Sequence, residues 1–288
     1  MPISNLAATS ALQTLQNINK QLETTTQRIS TGNRINSAKD NATYWSVAVT
    51  AQSDVGGMEA VKTSLDYASG YLSVAVSGIE LAREKLQEAR DVLVTANNAG
   101  ADFDLIDSQT RALIDDALAA VNGSEFNGTN LLTLDSASTT SVSFVVALEN
   151  GSGAPATMSI ATSGLTMVNA TTAGQLNPVT DAYATGGSVA SINTAALANT
   201  AIGVIDTAID NLLSAEGTLG ASLTRVESQQ TFNQALIDAK SQAISDLLSA
   251  DMEAESTRLQ ALQTQQALAI EALAIANNQT SSILALFR

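Results

Sequence analysis

The chain contains no cysteine and no histidine. Disulfides, thiolate or imidazole metal sites, nucleophile–imidazole dyads and haem ligation are excluded together. Aromatic residues make up only 3% of 288 residues, fewer than a compact enzyme core of this length normally buries, because rings fill large volumes efficiently. Lys and Arg are missing from Ala112 to Thr224, and the net charge is −15. Phosphate binding needs clusters of those cations, so nucleic acid is not an expected partner. No run approaches the roughly 18 apolar residues that span a bilayer, and no membrane partner is expected. The amino terminus lacks a basic stretch followed by an apolar one, so any export is expected to leave that terminus uncut. Glycine and proline are absent from Ile3 to Thr31 and again from Ala221 to Arg288. Their outer parts are nearly uncharged, with no charged side chain before Lys20 and only Glu271 and Arg288 in the last 30 residues.

What fills these stretches is helical periodicity. Ala8, Ala11, Leu15, Ile18, Leu22, Thr25 and Ile29 advance in steps of three and four, one seam of a helix that Gly32-Asn33 can end. Arg34 to Asn41 is more polar than its flanks and reads as a connector. A second helix is expected from about Gly56-Gly57 on. Its seam runs Met58, Val61, Leu65, Ala68, Leu72, Ala75, Ile79, Ala82, Leu86, Ala89, Leu93 and Ala96, roughly 57 Å at 1.5 Å per residue. Asn97 to Gly100 stops it. Asp102 or Asp104 then caps a shorter helix through Val121. Between about Asp135 and Thr194 the period changes to two at Val142, Phe144, Val146 and Leu148 and at Met158 and Ile160. Asn150 to Pro155 lies between them, which is a hairpin signal.

Helical period resumes at Ile202, Ile205, Ile209 and Leu212, then at Leu219, Leu223 and Val226. The carboxyl-terminal stretch carries two adjoining rows. One is Leu262, Gln266, Ala269, Leu273, Ala276, Thr280, Ile283 and Phe287; the other is Leu268, Ala272, Ile275, Gln279, Ser282 and Leu286. Two rows make a face too wide for one partner helix, so self-assembly is expected. The fold class is mainly α, with long helices in coiled-coil or bundle layers and a small insertion containing a β-hairpin. Asp115-Asp116, and Asp246 with Asp251, Glu253 and Glu255, read as solvated carboxylates on helix faces rather than catalytic or metal groups. No cofactor and no enzymatic activity are expected.

Arg28-Ile29-Ser30-Thr31-Gly32 followed by Arg34 to Ala42 resembles the amino-terminal signature of bacterial flagellins. Phe126-Asn127-Gly128-Thr129-Asn130-Leu131-Leu132 is similar to the motif that closes their second helical segment, and Asp251 to Arg288 resembles their carboxyl terminus, in the alphaproteobacterial style. The likeness covers about 1–134 and 195–288. It implies a subunit of the extracellular flagellar filament, used for swimming. In that plan, 1–44 with 250–288 forms an inner coiled coil, 45–134 with 195–249 a surrounding helical bundle, and 135–194 a variable outer insertion. The assembly interface would involve Leu15, Ile18, Leu22, Ile29, Leu262, Leu273, Ile283, Leu286 and Phe287, with Arg34, Lys39 and Asp40 in the connector. Implied partners are further copies, an export chaperone, the flagellar secretion apparatus, and cap and hook-associated proteins. The family's innate-receptor segment maps onto Leu86 to Val94. There Arg90 matches the family arginine, while Asp91-Val92-Leu93 departs from Glu-Leu-Ala. A hook–filament junction protein of the same superfamily, and a secreted adhesin or effector with a coiled-coil stalk, are the alternatives at this point.

Overall fold

The computed structural model describes residues 6–134, 141–148, 154–162, 164–168, 174–184 and 187–286, apart from the side chains of 6, 7, 148 and 279–286. Among these, helices α1 (Leu6–Thr31), α2 (Ala42–Val94) and α3 (Phe103–Gly123) precede an antiparallel hairpin, β1 (Ser141–Leu148) with β2 (Pro155–Ala161). The short α4 (Asn177–Tyr183), α5 (Ala195–Leu248) and α6 (Met252–Leu286) follow. The fold is mainly helical with one small hairpin, as the periodicity implies. The chain divides into two compact units, Met1–Val55 with Asp238–Arg288, and Gly56–Ile237.

The core of the larger unit is built on the α2 seam. Every seam residue from Val61 to Ala96 is buried, alongside Ile106, Ile114, Ala117 and Val121 of α3 and Ala198, Ile205, Leu212, Leu219 and Val226 of α5. Within this unit α5 runs antiparallel to α2, and polar side chains mark the register. Lys62 Nζ donates to Gln234 Oε1 at 2.7 Å, and Gln230 Nε2 to Asp66 Oδ1 at 2.9 Å. Further along, Arg83 pairs with Glu216 at 3.1 Å and Arg90 with Asp206 at 2.6 Å. Such exposed pairs contribute only about 0–1 kcal/mol each. They select an alignment; the buried seam supplies the stability.

The motif at Phe126 to Leu132 closes this bundle by local geometry. Asn127 and Gly128 both have positive φ, 51° and 81°, which folds Phe126 and Thr129 into a two-residue hairpin turn. Phe126 then stacks edge-on against Tyr67 at 5.2 Å, between ring centroids. Asn130 Nδ2 donates to the carbonyls of Val121 and Asn122 at 2.7 and 3.1 Å, adding donors for acceptors in the last turn of α3. Leu131 and Leu132 follow into the core.

Glycine decides one close approach. A Cβ at Gly78 would lie 2.7 Å from Ser124 Cβ and closer still to its Oγ, a contact that rotating the serine does not relieve. Gly78→Ala is expected to cost about 1–3 kcal/mol by overpacking, with Ser124→Gly restoring most of it. Gly203 meets nothing within 4 Å, so Gly203→Ala is expected to stabilise by about 0.5–1 kcal/mol. Denaturant unfolding of both variants reads the opposite signs; a shared sign would contradict the packing.

Two expectations need correction. α2 starts at Ala42 rather than near Gly56-Gly57, because Asn41 Oδ1 accepts from the amides of Thr43 and Tyr44, both at 3.1 Å. The glycine pair costs about 1 kcal/mol per residue relative to alanine, too little to stop a helix that is capped upstream and packs Ala48 inward. The insertion also contains more than strands and loops. Asn177-Pro178 opens α4, where proline suits a first helical turn that has no donor to lose. In the hairpin, Phe144 faces Met158 and Val142 faces Ile160 as the alternation suggests, but the register slips between Val145 and Ala147. The turn expected at 150–153 lies outside the described residues.

Candidate assembly interface

The smaller unit is organised around α1 and α6. Lone helices of this composition are marginal in water, so an apolar seam must find a partner. Ile18, Leu262 and Ala269 form its core, with Leu15 and Leu22 packed against them. Ile29 and Leu273 are partly buried on the same seam. Ile283 and Leu286 belong to the last turns of α6, their side chains outside the description, and Phe287 lies outside the described residues.

Polar contacts fix the helices antiparallel. Gln266 Nε2 donates to Asn19 Oδ1 at 2.7 Å, and Arg28 Nη1 pairs with Glu255 Oε1 at 2.9 Å. Glu255 is not the solvated carboxylate that its neighbours suggest: it is 8% exposed. The signal was present, since Glu255 lies one heptad before Leu262 on the α6 seam. Asp251 is exposed, and its Oδ1 caps α6 by accepting from the amides of Glu253 and Ala254.

Among the described residues, the large side chains of the second row of α6, Leu268 and Ile275, stay exposed. Leu268 is 61% exposed and Ile275 58%. α1 therefore covers one row and leaves the other bare. Large apolar side chains presented on one helix face in this way mark an interaction surface.

The connector residues sit next to this hairpin. Arg34 N donates to Leu248 O at 2.6 Å and Ala250 N to Gly32 O at 2.9 Å, so the α1–α2 loop pairs with the α5–α6 break. Arg34 Nη2 also reaches Leu247 O at 3.4 Å. Asp40 Oδ2 accepts from the amides of Asn36 and Ser37 and from Ser37 Oγ, at 3.0, 3.0 and 3.1 Å. The Asn36 amide, then the Ser37 hydroxyl, hold the Asp40 carboxyl below the usual carboxylate range. A depressed folded value stabilises the loop above the unfolded value and loses that effect as pH falls through the folded one. The amide shifts of Asn36 and Ser37 are therefore expected to titrate together, with a midpoint below that of a free aspartate. A midpoint at the free value would remove Asp40 from the turn. Lys39 is exposed and makes no ion pair among the described residues. Arg90, in the larger unit, is half exposed and held by Asp206.

A chain whose two ends fold back as one hairpin, with a bare apolar row beside the covered one, belongs to the class of self-assembling helical subunits. Residues 3–137 match the bacterial flagellin N-terminal helical region, and residues 202–287 the bacterial flagellin C-terminal helical region. The chain is 36% identical over 287 residues to the flagellin of Brucella melitensis, covering 99% of this chain and 98% of that one. It is 33% identical over 316 residues to flagellin C of Rhizobium meliloti, covering 99% and 98%. A solved structure described as a flagellar hook-associated protein of Vibrio parahaemolyticus shares the fold, with a TM-score of 0.52, 14% identity, and coverage of 73% of this chain and 100% of that one. The chain belongs to the bacterial flagellin family, with relatives of the alphaproteobacterial type.

Proposed function

We propose that, in this self-assembling structural subunit of the extracellular bacterial flagellar filament, the row Leu268, Ala272 and Ile275 is the principal polymerisation surface. The observation that carries this reading is the bare apolar row on a helix whose adjoining row is already covered. Burying such side chains between copies supplies the driving force, at about 1.5–3 kcal/mol for a fully buried large one. The covered seam Leu15, Ile18, Leu22, Ile29, Leu262 and Leu273 shapes the hairpin that presents it, and Ile283, Leu286 and Phe287 extend it. In the filament, 1–44 with 250–288 forms the inner layer, 45–134 with 195–249 the layer around it, and 135–194 the outward insertion. Arg34, Lys39 and Asp40 belong to the bridge between layers, and Arg90 to an innate-receptor segment. An export chaperone, the secretion apparatus, and cap and hook-associated proteins handle the chain before and during assembly.

Electron microscopy of the purified protein after addition of sheared filament fragments tests the reading. Long filaments growing from the fragments are expected, together with loss of exchange at the α6 amides. Protein that stays monomeric with seeds and salt present would count decisively against it.

A further inference from the structure

An open groove of about 490 Å³ lies in the larger unit where α2 meets the end of α3. Val74, Gly78 and Leu81 line it from α2, and Ala119, Ala120 and Gly123 from the α3 side. Small side chains leave the groove wide, and Leu81 is 45% exposed within it. One end is acidic. Glu84 follows Leu81 on the same face of α2, and Asp116 precedes Ala119 and Ala120 on one face of α3. Both are exposed, and with Glu88, paired at 3.0 Å, they act on the charge of Lys85. Three carboxylates against one ammonium leave that end negative.

Such a groove suits a large apolar side chain with a cation beside it, and the same chain carries that pair. Phe232 of α5, at 56%, is the most exposed of the large apolar side chains described in the larger unit. Arg225 lies seven residues before it on the same helix face, roughly 10 Å away. Lys62, Arg83, Lys85, Arg90 and Arg111 are each bonded to another side chain. Arg225 is exposed and makes no ion pair among the described residues. Gly78 and Lys85 are also seven residues apart, so groove and projection match in spacing and are opposite in charge. We propose that Phe232 of one copy seats in this groove of a second copy, with its Arg225 beside Glu84 and Asp116. A projection on one surface and a recess on another make a heterologous contact, which propagates a helical polymer instead of closing a dimer. The contact requires self-assembly but not the α6 row. It adds a second direction of contact, which a tube needs and a single string of copies does not.

The chain has no cysteine, so introduced thiols report one contact at a time. Ser77→Cys and Ala235→Cys, both at exposed positions, are placed in separate full-length chains that are mixed, seeded and treated with a short bismaleimide. A cross-linked pair with one chain of each kind is expected in filaments and not in unseeded monomer. Phe232→Ser is expected to raise the critical concentration of seeded elongation about tenfold, because half of a large side chain is left to bury. Arg225→Glu raises it as well, and Glu84→Lys in the same chain brings it back toward that of the parent. All three side chains are exposed, so monomer melting is expected to stay unchanged. Phe232→Ser elongating at the critical concentration of the parent, or filaments without the mixed cross-link, would overturn the groove contact. Ile275→Ser separates the two readings: normal elongation of that variant, with the mixed cross-link formed, sinks the α6 row and leaves the groove contact standing.

Discussion

Serine at both Leu268 and Ile275 is expected to suppress seeded elongation while leaving the monomer folded. Both side chains are about three-fifths exposed in the free chain, so assembly can cover only that remainder. Full burial of a large aliphatic side chain contributes about 1.5–3 kcal/mol, and three-fifths of it about 1–2 kcal/mol. Two such losses per subunit raise the critical concentration roughly thirty- to several-hundredfold, at about 1.4 kcal/mol per tenfold. The monomer loses little, because neither side chain is part of its core and serine gives up only about 0.5 kcal/mol of helix propensity at each position. Light scattering after seeding gives the first quantity and thermal melting the second. Normal elongation by the double variant would move the polymerisation surface elsewhere. A collapse of melting would mean that α6 needs this row for its own fold.

The opposite outcome is expected of the covered row, and the contrast shows what periodicity can and cannot reveal. A three-four rhythm identifies which residues share a face; the α2 seam is buried from Val61 on, and the α1 seam is buried or partly buried, as that rhythm requires. It says nothing about which of two equivalent apolar rows finds a partner first. On α6 both rows have the same period, and only the structure distinguishes Leu262 from Leu268. Periodicity is also blind to polar residues inserted in a seam. Glu255 occupies a heptad position, but its charge and acidic neighbours suggest a solvated group, although Arg28 on the opposite helix neutralises it. The start of α2 is hidden from the sequence for a related reason. A pair of glycines is visible in a sequence, whereas the compensating cap at Asn41 acts through two short hydrogen bonds to backbone. The insertion was legible at the hairpin, where alternation is local, and opaque at α4, whose seven residues are too few to show a period.

One cation clamps the carboxyl-terminal part of that insertion onto α3, and removing it carries the largest expected local effect. Arg111 is the last basic residue before a long stretch without any. Its Nε pairs with Asp107 at 2.8 Å, Nη1 donates to Tyr183 O at 3.1 Å and Nη2 to Ala190 O at 2.5 Å. The guanidinium also lies 5.4 Å from the centroid of the Tyr183 ring. Asp107 completes the clamp by accepting from Ile192 N at 3.1 Å. Hydrogen bonds to a charged group contribute about 1.5–3 kcal/mol in favourable settings, and partial exposure of Arg111 reduces that, so a loss on the order of 2–3 kcal/mol is expected for Arg111→Ala. Stabilities of whole domains run about 5–15 kcal/mol, so the helices survive while the clamped segment opens more often. Protection from exchange at Val189 and Ile192 should fall roughly thirty- to a hundredfold, with α2 and α5 amides unchanged. Arg111→Lys keeps the charge but lacks the planar fork and is expected to recover less than half of the loss. Tyr183 supplies an independent readout. Burial, then the Asp107 charge, raise its hydroxyl well above the ordinary tyrosine range, against an opposing pull from Arg111. If the segment opens in Arg111→Ala, water reaches the ring and the titration moves back down toward about 10 despite the lost cation. A titration that instead moves higher, with protection intact, would mean that the segment stays docked by Val189 and Ile192 packing alone.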